Sequence, residues 1–473
     1  MLLLRYTRQA VGLAALAAAG AASVAAPIAA QRASTQQDSA RPTVVLISID
    51  GLRPDYVLEA DRHGLRIPNL RRLVERGSYA TGVRGVVPTV TYPSHTTLLT
   101  GVAPARHGIH GNTTFDPLSR NQGGWYWYAT DITARTLWDA AADAGLVTAS
   151  VHWPVSVGAR VTHNLPQYWR TGTADDRKLL RALSTPGLYD EMERALGPFA
   201  DGIDESMSAD ESRARFAVKL LELKRPRFMT TYFTALDHEQ HDTGPFSPSS
   251  FTVLERIDAI VGALAEAAER VSPGNAVICV VSDHGFVRTN RSVNLLGAFR
   301  EAGLLHFAGD TAEKPSGWRA TAWASGASAA VIIHDTASAA TRSVVRNLLT
   351  RLAADTASGI DRVLNADDLR QLGGFPEAAF LVSLKPGYIF GARTRGPLVV
   401  PVKTGGMHGY LPDLPDMRSA FFISGRSIPA RRSLGEIDMR DVAPTLAALL
   451  GLSLPAAEGQ NVLQGLAANS NAR

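Results

Sequence analysis

The chain has 473 residues, 45% of them hydrophobic and 19% charged, which is enough to build a large core and too apolar for an intrinsically disordered protein. A formal charge of +4 over that length gives no concentrated field of the kind that binds nucleic acid. The single cysteine, Cys279, excludes an intrachain disulfide framework and any Cys-rich zinc or iron–sulfur site, so a metal would have to be held by His and carboxylates.

The first residues carry Arg5 and Arg8, an alanine-rich apolar run from about Ala10 to Ala26, and small residues ending at Ala29-Ala30. This pattern predicts a secretory signal peptide over 1–30, cleaved after Ala30. The run is short and weakly apolar for a membrane span, and no cysteine follows it to accept a lipid. No later segment has spanning length, so the expectation is no stable membrane span. Cleavage would leave 46 basic against 44 acidic residues, a nearly neutral mature surface. With low Lys and high Arg and Ala content, as in GC-rich bacteria, the expected location is periplasmic or secreted.

Thr43–Ile49 is a continuous apolar, β-branched run bounded by Asp50-Gly51, as suits a strand buried on both faces. Similar runs recur at Phe228–Leu236, Ala276–Ser282 and Ala420–Ser424, with helical patterns such as Leu254–Ala268 between them. Alternating strands and helices predict an α/β fold with a mostly parallel sheet. The stretch 287–403 breaks that rhythm with Gly, Pro and mixed signals, including an amphipathic Arg342–Ala354. It reads as an α+β cap inserted between a first core part, 31–286, and a last part, 404–473. Near the end, Asp441-Val442-Ala443-Pro444-Thr445 predicts the start of a packed helix.

Three of the apolar runs lead into acidic residues: Asp50, Asp237 and Asp283. In open parallel sheets the carboxyl ends of the strands form the binding crevice, so these carboxylates are expected to converge there. Any one of them alone reads most simply as a helix or turn cap. Two bring histidines with them, in Asp237-His238-Glu239-Gln240-His241 and Asp283-His284-Gly285, and His408 follows Gly405-Gly406-Met407. Mixed Asp/His donors suit zinc or a similar divalent ion. Thr91, in Pro88-Thr89-Val90-Thr91-Tyr92-Pro93-Ser94-His95, would place a hydroxyl on a turn entering a helix, where a nearby metal could make it a nucleophile. By itself that segment is an ordinary Thr N-cap. What changes the reading is Arg106-His107-Gly108-Ile109-His110-Gly111-Asn112, whose Asn112 amide can donate to a phosphoryl oxygen.

The order of these motifs resembles the nucleotide pyrophosphatase/phosphodiesterase family of the alkaline phosphatase superfamily, over most of the mature chain. The resemblance implies an alkaline-phosphatase-like fold and two Zn2+ ions, although other divalent ions can load such sites. One ion would be held by Asp237, His241 and His408, the other by Asp50, Asp283, His284 and the Thr91 hydroxyl. It makes Thr91 the nucleophile, passing through a phospho-threonine intermediate, and Asn112 the phosphoryl-oxygen donor. Ser94 stands where the family usually has Asn. Tyr232, five residues before Asp237, resembles the family's base-stacking position, and Tyr92 is the second expected wall. The cluster Trp125-Tyr126-Trp127-Tyr128 is a further candidate for lining the crevice, and His152-Trp153-Pro154 resembles another family segment near the site.

The implied partner is a small nucleotide or other phosphodiester, with diester or phosphoanhydride cleavage. Two alternatives share the core: a phosphomonoesterase, which needs extra cations near the phosphate, and a phospholipid or choline phosphodiesterase. A sulfatase lacks support because the C/S-x-P-x-R motif is absent. An inactive scaffold is the reading of a different class.

Overall fold

Side-chain alternation along one strand sets up the architecture. The computed structural model describes residues 41–121, 124–309, 312–334 and 337–466. In β1 (Thr43–Ile49) every residue is buried. Val45, Ile47 and Ile49 enter one apolar core while Val44 and Leu46 enter a second on the opposite face. A strand with two dry faces must lie at the middle of a covered parallel sheet. Its direct neighbours are β3 (Phe228–Phe233) and β4 (Ala276–Val281), flanked in turn by β2 (Thr148–Val151) and β5 (Phe421–Gly425).

The eight-stranded sheet runs Arg432–Ser433, Ser78–Tyr79, β5, β4, β1, β3, β2, His163–Leu165. β1 pairs in parallel with β3 and β4, β2 pairs in parallel with β3, and β5 lies antiparallel to β4. The helices that frame the site are α1 (Thr91–Thr100), α2 (Met207–Lys224), α3 (Ala235–Thr243), α4 (Pro248–Val271) and α5 (Val442–Leu449). α2 and α4 cover one face, with Phe216, Leu220, Leu254, Ile257, Val261 and Leu264 in the same core as Val45 and Ile47. The spacing of the α4 residues is the three-and-four step of an amphipathic helix. Ser247 caps α4 by accepting the Ser250 N–H at 3.0 Å, and Pro248 sits at its first position. α1 and α5 cover the other face through Leu98, Leu99, Val442 and Leu446. The expected α/β architecture, a mostly parallel sheet between helices, is what the structure shows.

Within the stretch expected to be a cap, Ala320–Ser325, Ser328–Ile333, Phe380–Leu384 and Ile360–Asn365 form a four-stranded antiparallel sheet. A second sheet joins Tyr388–Phe390, Val287–Val293 and Val399–Met407. The expected boundary after 403 falls inside the last of these strands, which runs on to deliver His408. The described residues from Thr43 on belong to one compact unit. The expected signal segment, 1–30, lies outside the described residues, and no helix among those described is long and apolar enough to cross a membrane. One expectation is corrected. β3 stops at Phe233 and Ala235 already begins α3, so Asp237 sits in the first turn of a helix and not at a strand end.

Because Leu46 is fully buried at the centre of the sheet, Leu46→Ala is expected to cost about 2–5 kcal/mol of unfolding free energy. Urea denaturation followed by circular dichroism would measure it, and a loss below about 1 kcal/mol would contradict the packing described.

Candidate active site

Asp50 leaves the end of β1 with its N–H donated to the Phe233 carbonyl at 3.0 Å, which aligns it with the end of β3. Asp283 and His284 leave β4 next door, and all three are buried. On α3, Asp237 and His241 are four residues apart and so share one face, with His241 Nε2 3.2 Å from Asp237 Oδ2. His408 arrives from the far side, its Nε2 3.7 Å from Asp237 Oδ1. Its approach depends on two glycines. A Cβ at Gly405 would lie 2.1 Å from the His241 carbonyl oxygen, and one at Gly406 would lie 2.6 Å from that of Gln240. Only bare backbone lets the 399–407 strand press against α3.

The three imidazoles are held in the same way. Nδ1–H of His241 donates to the Gly406 carbonyl at 3.0 Å, that of His284 to Gly285 at 3.2 Å, and that of His408 to Thr89 at 3.3 Å. Each Nε2 is thereby turned toward carboxylate. His284 Nε2 lies 3.3 Å from Asp50 Oδ1 and 3.2 Å from Asp283 Oδ2. The His284 and His408 rings stack at 3.7 Å. Asp50 Oδ1, Asp237 Oδ1, Asp283 Oδ2 and His284 Nε2 are all buried without a hydrogen-bond partner. Unpartnered oxygens of three carboxylates thus converge with His284 Nε2, an arrangement suited to holding a cation.

The donor atoms fall into two overlapping groups, Asp237–His284–His408 and Asp50–Asp283–His284, each with its atoms within 4.8 Å of one another. His241 joins the first through Asp237. The titration behaviour of the cation-free protein agrees. Burial and the charges of Asp237 and Asp283 push the Asp50 carboxyl well above its ordinary range. Against burial, the Asp237 carboxylate raises His241 to about 9. Against burial again, the same pairing with His241 and the nearby His408 holds Asp237 far below the usual carboxylate range. Burial and the neighbouring His284 push His408 well below its ordinary value.

Thr91 is the first residue of α1, and the N-cap position belongs to Val90, which makes no side-chain cap. The ordinary-cap reading of Thr91 therefore fails. Asn112 Oδ1 accepts the Tyr92 N–H at 2.9 Å, which fixes the amide so that its Nδ2 points at Thr91 Oγ, 3.5 Å away. His95, which the sequence does not single out, secures the same turn. Its Nδ1–H donates to the Thr91 carbonyl at 2.8 Å, and its Nε2 meets Ser48 Oγ on β1 at 2.9 Å. Gln240 is a second residue of this kind. It is fully buried, donates to the Gly51 carbonyl at 3.0 Å and accepts from Tyr56 Oη at 2.9 Å, so it ties α3 to the turn that carries Asp50. The sequence signal for both is position: one helical turn after Thr91, and between Asp237 and His241 in the motif.

The two tyrosines differ from expectation. Tyr232 is only 2% exposed, and its hydroxyl donates to Asp50 Oδ2. Its ring lies between His95 and His152. A ring so enclosed orients a carboxylate and offers no face for a base. Tyr92 is buried too, its hydroxyl donated to Gln167 Oε1 at 2.8 Å. The half-buried rings beside it are Trp125, 5.2 Å away, and Trp169, packed at 4.9 Å on Trp125. Trp125 reaches the site because its backbone bridges to Thr113, next to Asn112.

The profile of the type I phosphodiesterase / nucleotide pyrophosphatase family matches residues 44–411, which takes in every residue of this cluster. The chain belongs to that family. It is 27% identical to rat ectonucleotide pyrophosphatase/phosphodiesterase family member 3 over 264 residues, 53% of this chain and 25% of the relative. It is 27% identical to human member 1 over 256 residues, 52% of this chain and 23% of that one. A fission yeast protein described as an uncharacterized pyrophosphatase/phosphodiesterase is 26% identical over 279 residues, 56% of this chain and 49% of its own length. The matched region thus spans a quarter to a half of these relatives. The fold matches murine ectonucleotide pyrophosphatase/phosphodiesterase 5, solved as an inactive variant with AMP, at a TM-score of 0.64 and 19% identity, over 89% of this chain and 97% of that one.

Not all histidines in the motifs belong to the chemistry. His107 Nδ1 accepts the Ile109 N–H at 3.2 Å and its Nε2–H donates to Thr97 Oγ at 3.1 Å, bracing the loop that ends in Asn112. Burial, with a smaller contribution from His110, lowers its pKa from 6.5 to about 3. The unfolded chain therefore takes up the proton first. The neutral ring's full contribution is present above pH 6.5 and is lost as pH falls toward 3, at up to about 1.4 kcal/mol per pH unit. Urea stabilities in chelator should fall between pH 7 and 5 by about 2 kcal/mol more in wild type than in His107→Gln. Equal slopes would refute the assignment.

Proposed function

We propose that the protein is an exported two-metal phosphodiesterase/pyrophosphatase that hydrolyses nucleotide phosphodiester or phosphoanhydride bonds through a phospho-threonine at Thr91. The observation that carries this reading is the set of imidazole Nε2 atoms, each with a backbone carbonyl on its other nitrogen, turned onto the carboxylates of Asp50, Asp237 and Asp283, each of which keeps one buried oxygen without a hydrogen-bond partner. Asp237, His241 and His408 would hold one cation, and Asp50, Asp283 and His284, with the Thr91 hydroxyl, the other. Bound there, divalent ions, of which zinc best suits this donor set, supply Lewis-acid polarisation of phosphate oxygens and lower the pKa of a coordinated hydroxyl.

The chain's own residues do the rest. Thr91 Oγ attacks phosphorus and the ester oxygen leaves, and hydrolysis of the resulting phospho-threonine restores the hydroxyl. Asn112 Nδ2, 3.5 Å from Thr91 Oγ, donates to a non-bridging oxygen. The first turn of α1, without a side-chain cap, directs its partial positive charge at the same place. His95 prevents the turn from shifting as the bond forms. Trp125 and Trp169 offer flat faces for a base, which stacking binds with little regard to its identity. The family match, the named activities of the relatives and the AMP complex of the structural neighbour support a nucleotide substrate.

Thr91→Ala is expected to lower kcat by more than about 10³-fold while leaving the metal content unchanged, as measured by elemental analysis beside kinetics on an aryl nucleotide diester. Turnover near wild type would remove Thr91 from its role. Asn112→Ala should cost about 3 kcal/mol in kcat/KM, roughly 10²-fold. The kcat/KM of zinc-loaded protein for that diester should exceed that for the matching aryl phosphate monoester. The reverse order would keep the site and overturn the substrate class.

A further inference from the structure

α3 carries two of the proposed metal ligands, yet its own N-cap residue, Thr234, makes no side-chain cap. The first N–H groups of a helix need acceptors, and buried ones left unpaired are costly. Here the acceptor comes from α2, 25 residues earlier in the chain. Asp210 Oδ2 accepts the Ala235 N–H at 2.8 Å and Asp210 Oδ1 that of Thr234 at 3.2 Å. A carboxylate with no exposure requires a counter-charge, and Arg213, equally buried, donates to it from Nη1 at 2.8 Å. The same Nη1 donates to Thr234 Oγ at 3.0 Å, while Nη2 donates to the carbonyls of Asp204 and, at 3.3 Å, Asp201. One buried ion pair therefore grips the start of α3, two residues before Asp237.

A cap made by a foreign charged pair does more than end a helix. Rotating or sliding α3 by a fraction of a turn would carry Asp237 and His241 away from His408 while leaving Asp50, Asp283 and His284, which hang from β1 and β4, in place. Gln240 restrains the middle of the helix through Gly51, while its start is held by Asp210 and Arg213 and not by a side-chain cap from Thr234. We propose that Asp210, held by Arg213, is a positioning residue for the half of the metal centre built on α3, and that it sets the affinity for one of the two divalent ions. The proposal rests on the two-metal reading above. It differs from a plain structural cap in a specific way: a structural cap would lower stability and weaken both ions together, whereas a positioning role is confined to one.

The test is zinc titration of the full mature protein against a chromophoric chelator, with melting temperature recorded on the same samples. Wild type should take up two ions. Asp210→Asn, which keeps shape and one acceptor but removes the charge, should bind one ion as wild type does and the other at least 10-fold more weakly. Asp237→Asn should weaken the same ion, and the double variant should be no weaker than Asp237→Asn alone. Arg213→Lys, which keeps the charge but loses the planar fork, should weaken that ion by a smaller factor and serves if Asp210→Asn does not fold. Raised zinc should restore kcat in Asp210→Asn. Wild-type affinity at both ions, or equal weakening of both in step with the melting temperature, would overturn the positioning role. Fewer than two ions in wild type would instead overturn the two-metal reading on which it rests.

Discussion

Three carboxylates buried against one another form the constraint on which the rest of this structure depends. Asp50 and Asp283 are buried and Asp237 is nearly so, and burial together with the charges of Asp237 and Asp283 raises the cost of ionising Asp50. Around them the protein sets imidazoles whose Nδ1–H groups are already committed to backbone carbonyls. Such a centre favours cationic charge, and the Asp237 carboxylate accordingly raises the pKa of His241 against burial. Much of the surrounding fold keeps these groups from relaxing apart.

The means of doing so are mechanical. The Asp50 and Asp283 groups leave the ends of adjacent central strands, whose register is fixed by two dry faces. The Asp237 and His241 pair rides on a short helix, which is tied to the sheet by Gln240 and gripped at its start by Asp210 and Arg213. His408 comes from a strand that can approach only because Gly405 and Gly406 lack side chains. The Thr91 carbonyl is held by His95, itself braced on Ser48, and Asn112 is oriented by the Tyr92 N–H. His107, which looks in the sequence like part of a chemical motif, braces the loop that places Asn112.

The sequence made the candidate ligands legible because metal and nucleophile chemistry requires particular atoms, and a packed core has little use for repeated Asp/His pairs and a Thr in that order. It was less informative about aromatic rings. A tyrosine spaced like a base-stacking residue can equally fill the sheet and orient a carboxylate, and Tyr232 does the latter. Apolar periodicity also ran on through Leu236, which concealed the break at Thr234 and the start of α3. The half-buried ring faces beside Tyr92 belong to Trp125, which a loop bridge to Thr113 brings there, and to Trp169, packed on Trp125.

What the sequence by itself determined was the alternation of buried strands and helices, and with it the mostly parallel sheet, together with the candidate donor residues and the asparagine. The sheet follows from local periodicity, and the candidates from side-chain chemistry and from a motif order that resembles the family's. What only the tertiary structure decided was which nitrogen of each histidine faces inward, which tyrosines are enclosed, and which distant residues restrain the helix that carries Asp237. Those outcomes depend on contacts between segments up to hundreds of residues apart, such as His408 with Thr89 or Gly51 with Gln240. The geometry of those contacts is settled by packing, and no stretch of sequence carries it alone.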